Sequence, residues 1–323
     1  MPQPNHKMQN TTPPIGKTPL IFDHQQSAFQ KLRRAGSVCF STQRAHLPVQ
    51  PRTNSLLIGP SGSGKSYLAR AVAESFGFEC KAVTVAEWML LGSGSKGAQR
   101  TWNAIFEFLL KNHSKKGAVI FLDEIDKLTG TSDWVQHLRV EVFRLLDLAV
   151  PPDLIDGDDS RYARTTFSEV EEFLKRRTFI IAAGAFQSIW DEGGKQIGGF
   201  GGDRPTESPS QELMSRHLAR ELINRFRSDV VILEPLGVAA YESMLLSSAE
   251  KMPRHLQEQF LLMGEQRIAC AINNKQGVRF LEELIADVLA EECPEPTTQP
   301  TLKNEPPSRW RLGSPQTRAP GFW

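Results

Sequence analysis

Ser55-Leu56-Leu57-Ile58-Gly59-Pro60-Ser61-Gly62-Ser63-Gly64-Lys65-Ser66-Tyr67 is the stretch whose reading decides the fold. Its first four residues are a short apolar run, the signature of a strand buried on both faces. The next eight fit G-x-x-x-x-G-K-[ST], a spacing that wraps backbone around the phosphates of a nucleotide. The glycines permit positive φ and close approach of main chain. Successive N–H groups then face inward as an anion nest. Lys65 reaches β- and γ-phosphates, and the Ser66 hydroxyl is placed to ligate Mg²⁺. Ser66 to Glu74 reads as a helix whose positive end meets the phosphates. Gly59, Pro60, Ser61, Gly62, Ser63, Gly64, Lys65, Ser66 and Tyr67 are therefore the expected nucleotide-binding residues, with ATP and Mg²⁺ as the expected cofactors.

About fifty residues further on stands the complementary half. Gly117-Ala118-Val119-Ile120-Phe121-Leu122-Asp123-Glu124 is an apolar run that ends in two acids. In an open α/β sheet, ligands bind at the carboxyl ends of the strands. Asp123 is expected to hold Mg²⁺ through water, and Glu124 to activate the attacking water. Thr178 to Ala183 reads as a third buried strand and Val230 to Leu233 as a fourth. Helical segments follow near 238–250, 254–273 and 277–292. Strands alternating with helices, then a helical appendix, predict an α/β P-loop nucleotide domain with a parallel sheet between helices and a small α-helical lid. The expected divisions are 1–19 as a polar N-terminal segment, 20–236 as the α/β domain, 237–293 as the lid and 294–323 as a Pro-rich tail.

Composition bounds the rest. The chain has 323 residues and a formal net charge of +1, so bulk charge decides nothing about nucleic acid, since a local basic patch can hide in a neutral total. Cys39, Cys80, Cys270 and Cys293 are scattered without C-x-x-C spacing and read as reduced thiols. No signal-peptide core and no apolar run of ~18 residues is present, which points to a cytoplasmic protein without membrane contact. No Ser-His-Asp, Cys-His or H-E-x-x-H arrangement suggests a built-in protease. The tail at 294–323 places Lys303, Arg309, Arg311 and Arg318 beside Trp310, Phe322 and Trp323. It reads as a solvated segment or as a docking peptide.

The order of these motifs resembles that of an AAA+ ATPase, and within that class of the ClpX and HslU unfoldases of the Clp/Hsp chaperone group. Asn54 to Lys65 is similar to the family's Walker A segment and Ile120 to Leu128, IFLDEIDKL, to its Walker B segment. Ile181 to Phe186 resembles sensor 1, Glu221 to Asp229, ELINRFRSD, the arginine-finger segment, and Gln276 to Leu281, QGVRFL, sensor 2. The resemblance covers roughly residues 20–292. It implies that Arg225 is the finger reaching a neighbour's γ-phosphoryl, with Arg227 as its rival, and that Arg279 contacts the γ-phosphate from the lid. It implies that Ile21 and Phe22 lie near the adenine, although the family's Ile-Gly-Gln is replaced by Phe22-Asp23-His24. It further implies a hexameric ring acting on a protein substrate. A nucleic-acid remodeller and an ATP-gated assembly switch are the alternatives.

Three departures bear on the substrate. The stretch that should carry an aromatic pore loop is Gly94-Ser95-Lys96-Gly97. Trp88-Met89-Leu90-Leu91 lies just upstream, read as buried core ahead of a substrate grip, while Lys96 and Arg100 would suit a phosphate backbone. The frequently polar position of sensor 1 is Ala183. Ile197-Gly198-Gly199-Phe200-Gly201-Gly202 is similar to a peptidase-docking loop with one glycine too many; a plain Gly-rich hairpin is the favoured reading, and a peptidase ring is not favoured. An acidic loop, Asp153 to Asp159, and a helix from Phe167 to Arg177 enlarge the segment between the second and third strands.

Overall fold

The computed structural model describes residues 19–92, 97–130, 132–151, 164–190 and 219–292. Five strands form one parallel sheet: β1 Ser55–Ile58, β2 Cys80–Thr84, β3 Ala118–Asp123, β4 Thr178–Gly184 and β5 Val231–Ile232, in the order β2-β3-β4-β1-β5. Ser55 pairs with Ile181 across β1 and β4, and Ala118 with Thr178 across β3 and β4. The central strands β1 and β4 are buried along their whole length. The apolar runs therefore supply both faces of the sheet. Leu56, Ile58, Ile120, Leu122, Ile180 and Ala182 pack on one side. Leu57, Val119, Phe121, Phe179, Ile181 and Ala183 pack on the other.

Helices cover both faces. Against the second stand α1 Asp23–Cys39 and α2 Lys65–Phe76; against the first stand α3 Val85–Gly92, α4 Gly97–Asn112, α5 Asp133–Leu146 and α6 Arg164–Arg177. Ser132 caps α5 by accepting from the Val135 N–H at 3.4 Å, and Gly77, at φ 71°, closes α2. A short turn, α7 Arg220–Ile223, precedes β5. Three helices follow: α8 Val238–Ala249, α9 Arg254–Asn273 and α10 Arg279–Glu292. Their shared core contains Tyr241, Met244, Phe260, Phe280 and Leu284, and it takes in Phe22 from the segment just before α1. Burying side chains of this size stabilises by ~1.5–3 kcal/mol each, so the lid holds its own core while remaining tied to the chain's beginning. Gly264 makes that packing close: a Cβ there would sit 2.5 Å from Leu245 Cδ2.

Strand β2 and helices α1, α3, α4, α5 and α7 were not assigned from sequence. Trp88 is fully buried, edge-to-face with Trp102 at 6.0 Å, so it is core and no surface grip. The side chains of Met89, Leu90, Leu91, Gly97 and Arg100 lie outside the described residues, as do Gly94 to Lys96, the acidic loop, the 197–202 stretch and both terminal segments. No described helix is long and apolar enough to cross a membrane.

Candidate nucleotide site

The carboxyl ends of β1 and β3, the start of α2 and the start of α10 enclose a cleft of about 380 Å³. It is lined by Ser61, Gly62, Gly64, Lys65, Ser66, Tyr67, Asp123 and Glu124 from the expected set, and by Arg279 from the lid. The loop between β1 and α2 needs its glycines: Gly62 has φ +78° and Gly64 φ +85°. A Cβ at Gly64 would stand 2.3 Å from Gln25 Nε2.

The loop's carbonyls are engaged by donors from Lys65, from α1 and from the lid. Lys65 Nζ donates to Gly59 O at 2.8 Å and to Pro60 O at 2.9 Å. Gln25, fully buried on α1, donates to Ser63 O at 3.3 Å, and the Val278 N–H donates to Gly62 O at 2.8 Å. With its oxygens occupied, a loop presents N–H groups to an incoming anion. These residues therefore fit a polyphosphate. Burial lowers the Lys65 pKa, opposed by Asp123 and Asp126, while Arg279 pushes it further down. Bound phosphates would reverse the balance by adding negative charge beside the ammonium.

The acids stand across from the loop. Ser66 Oγ donates to Asp123 Oδ2 at 3.0 Å, which brings the hydroxyl and carboxylate named for Mg²⁺ together. Among the described residues no group of three His, Cys, Asp or Glu forms a cage for a metal. Two hard oxygen donors beside a phosphate site is the arrangement that suits Mg²⁺, which keeps several waters and shares its shell with substrate phosphates. Glu124 adopts the left-handed conformation, φ 57° and ψ 35°, a state that costs a non-glycine residue ~1–2 kcal/mol. Its N–H donates to Asp123 Oδ1 at 2.9 Å, so the turn that strains Glu124 also orients its neighbour. Strain held at a site of this kind is a recurring mark of function.

Other expected residues lie elsewhere. Gly59, Pro60 and Ser63 shape the loop from behind, and Ser63 is buried. Ile21 packs against the sheet cluster and Phe22 in the lid core, stacked on His24 at 6.0 Å; neither lines the cleft. Tyr67 links the two places by donating its hydroxyl to Leu20 O at 2.8 Å. Ala183 is fully buried and offers no polar group. Arg225 does not line the cleft: Nε is 3.0 Å from Asp147 Oδ1, an Nη donates to Glu221 O at 2.7 Å, and the guanidinium lies 3.9 Å from the Phe143 ring centre. The Arg227 main chain is tied to Asn54 O at 3.0 Å. Sequence reasoning missed Gln25, Arg70, Asp126, Lys127, Val278 and Glu282. The trailing Asp126-Lys127 of the second motif was the available signal; Gln25 carried none.

A parallel sheet with a phosphate loop after its first strand, acids at the end of another strand and a helical lid over the cleft are the architecture of a P-loop nucleotide-binding domain. Residues 55–148 match the ATPase family associated with various cellular activities, AAA, and the chain as a whole resembles the ClpX group. It is 25% identical to the ATP-dependent Clp protease ATP-binding subunit ClpX 2 of Wolinella succinogenes, over 74% of this chain and 64% of the relative. It is 23% identical to ClpX 3 of Methylococcus capsulatus, over 83% and 69%. It is 30% identical to the Lon protease of Metamycoplasma arthritidis, over 41% and 15%. The chain thus spans less than two thirds of the first of these relatives.

Proposed function

We propose that this chain hydrolyses Mg²⁺·ATP as a subunit of an oligomeric ring and uses the energy to remodel or unfold a protein substrate. The observation that carries the ATPase half is the meeting of Lys65, Ser66, Asp123 and Glu124 in one cleft. When bound, magnesium would neutralise phosphate charge, with Ser66 and Asp123 holding it. Lys65 turns from the loop's carbonyls to the β- and γ-phosphates. Glu124 takes the proton of the attacking water, unaided by sensor 1, where the buried Ala183 stands. Arg279 closes over the phosphates from the lid. Arg225 completes the site of a neighbouring copy, since its place away from the cleft leaves it nothing to do in its own. Arg227 is the alternative for that role.

Support for assembly with other subunits and for a protein substrate comes from the names of the relatives, two of which are ATP-binding subunits of a Clp protease. The test is ATP turnover by the full chain with unfolded polypeptide, duplex DNA, or single-stranded RNA added. A several-fold stimulation by polypeptide alone is expected. Stimulation by DNA or RNA alone would overturn the protein assignment. A lack of response to all three, with nucleotide-dependent oligomerisation retained, would favour an assembly switch.

A further inference from the structure

The lid touches the phosphate loop backbone to backbone, and two glycines make the contact close. A Cβ on Gly277 would lie 2.1 Å from Gly62 O, and one on Gly62 would lie 2.5 Å from Gln276 O. Both residues have positive φ, +63° and +78°. In the gap they leave, the Val278 N–H donates to Gly62 O at 2.8 Å. The turn that carries Val278 is held in turn by Tyr241, a buried residue of α8. Its hydroxyl accepts from the Gly277 N–H at 2.8 Å and donates to Ala271 O at 3.4 Å, and its ring packs edge-to-face on Phe280.

The carbonyl and N–H of adjoining residues in one peptide plane point to opposite sides. With Gly62 O fixed toward the lid, the Ser63 N–H faces into the loop. There it makes a long bond, 3.3 Å, to Pro60 O, one that a phosphate oxygen would displace readily. Without the lid contact this peptide could turn over and offer a carbonyl to the phosphate instead.

We propose that the lid seats the phosphate loop for nucleotide binding through the Val278 N–H, and that Tyr241 is the positioning residue for this contact. The inference rests on the cleft being a nucleotide site. Tyr241→Phe removes one hydroxyl and leaves the ring in the lid core. It orphans the Gly277 N–H and loosens the turn.

The test uses the full chain and three readouts: affinity for ATP by titration with Mg²⁺ present, turnover at saturating ATP, and hydrogen exchange at the Val278 amide. The Tyr241→Phe chain is expected to bind ATP about tenfold more weakly, as loss of one buried hydrogen bond implies. Its turnover at saturation stays within about threefold of wild type, because the catalytic side chains are untouched. In the wild-type chain the Val278 amide exchanges slowly, and more slowly with ATP. A role confined to lid stability would lower the melting temperature but leave ATP affinity unchanged, and that result overturns the proposal. If Tyr241→Phe does not fold, Gly277→Ala is measured instead, with the same loss of affinity expected. Fast exchange at Val278 in the wild-type chain overturns the proposal without any variant. If the wild-type chain fails to bind ATP at all, the reading of the cleft fails; if it binds and the variants bind equally well, only the lid contact fails.

Discussion

Replacing Arg225 with alanine separates the contacts its side chain makes in the fold from the role proposed for it in a neighbour's site. Within its own subunit the guanidinium pairs with Asp147, covers the Phe143 ring and caps the Glu221 carbonyl. Asp147 is half exposed, so the pair is worth ~0.2–1 kcal/mol, and the ring contact adds ~0.5–1 kcal/mol. Arg225→Ala should therefore cost ~1–2 kcal/mol of stability, a fall of ~1–4 °C in Tm for a chain of this size. A finger acting in a neighbour's site contributes ~10³–10⁵ in rate, or ~4–7 kcal/mol at the transition state. The catalytic loss far exceeds the structural one, so the variant should be folded at 25 °C yet nearly inactive. Steady-state phosphate release and thermal melting measure the two effects side by side. Asp147→Asn is the control: it breaks the ion pair, keeps the guanidinium, and should melt slightly lower with turnover close to wild type. Mixing Arg225→Ala with Glu124→Gln subunits should restore part of the activity, because some junctions then join an intact base to an intact finger. Turnover of Arg225→Ala within tenfold of wild type, or an equal loss in Asp147→Asn, would refute the finger assignment.

Three further outcomes are expected. Lys65→Ala removes the donor shared by Gly59 and Pro60 carbonyls and the main cation of the loop; ATP titration should show binding lost, and normal affinity would count against the phosphate cradle. Glu124→Gln should still bind ATP but turn over ~10²–10⁴-fold more slowly, with unchanged turnover removing Glu124 as the water activator. Burial pushes His24 from 6.5 down to about 4, against the pull of Asp23. The unfolded chain binds a proton there before the folded one does, so stability should fall as pH drops from about 6.5 toward 4. Melting curves across that range should show less pH dependence in His24→Gln than in wild type; equal slopes would assign the effect to other groups.

Much of this architecture was legible because the central strands are buried on both faces and so read as unbroken apolar runs. The three lid helices stand within two residues of the ranges read from sequence. What escaped has physical reasons. In β2, an edge strand, only Val83 is buried, so Cys80-Lys81-Ala82-Val83-Thr84 lacks a hydrophobic run. The buried stripe of α1 is built from Gln25, Ala28, Gly36 and Cys39 as well as Phe29 and Leu32, and small or polar residues mute its periodicity. Within the cleft, residues contiguous with a motif were readable from spacing alone. Gln25 and Val278 were not, because they meet the loop from 38 and 216 positions away, and nothing local marks a side chain or an N–H that will meet a distant carbonyl. The arginine segment could be read as a string; its tie to Asp147 and Phe143 depends on how α5 packs.

The most direct measurement is a crystal structure of the wild-type chain grown with a non-hydrolysable ATP analogue and Mg²⁺. The account predicts β- and γ-phosphates on the main-chain N–H groups between Ser61 and Ser66, Lys65 released from Gly59 and Pro60 to reach them, and the metal beside Ser66 and Asp123. An analogue bound elsewhere, or a cleft in which Lys65 keeps its two carbonyls at full nucleotide concentration, would contradict it.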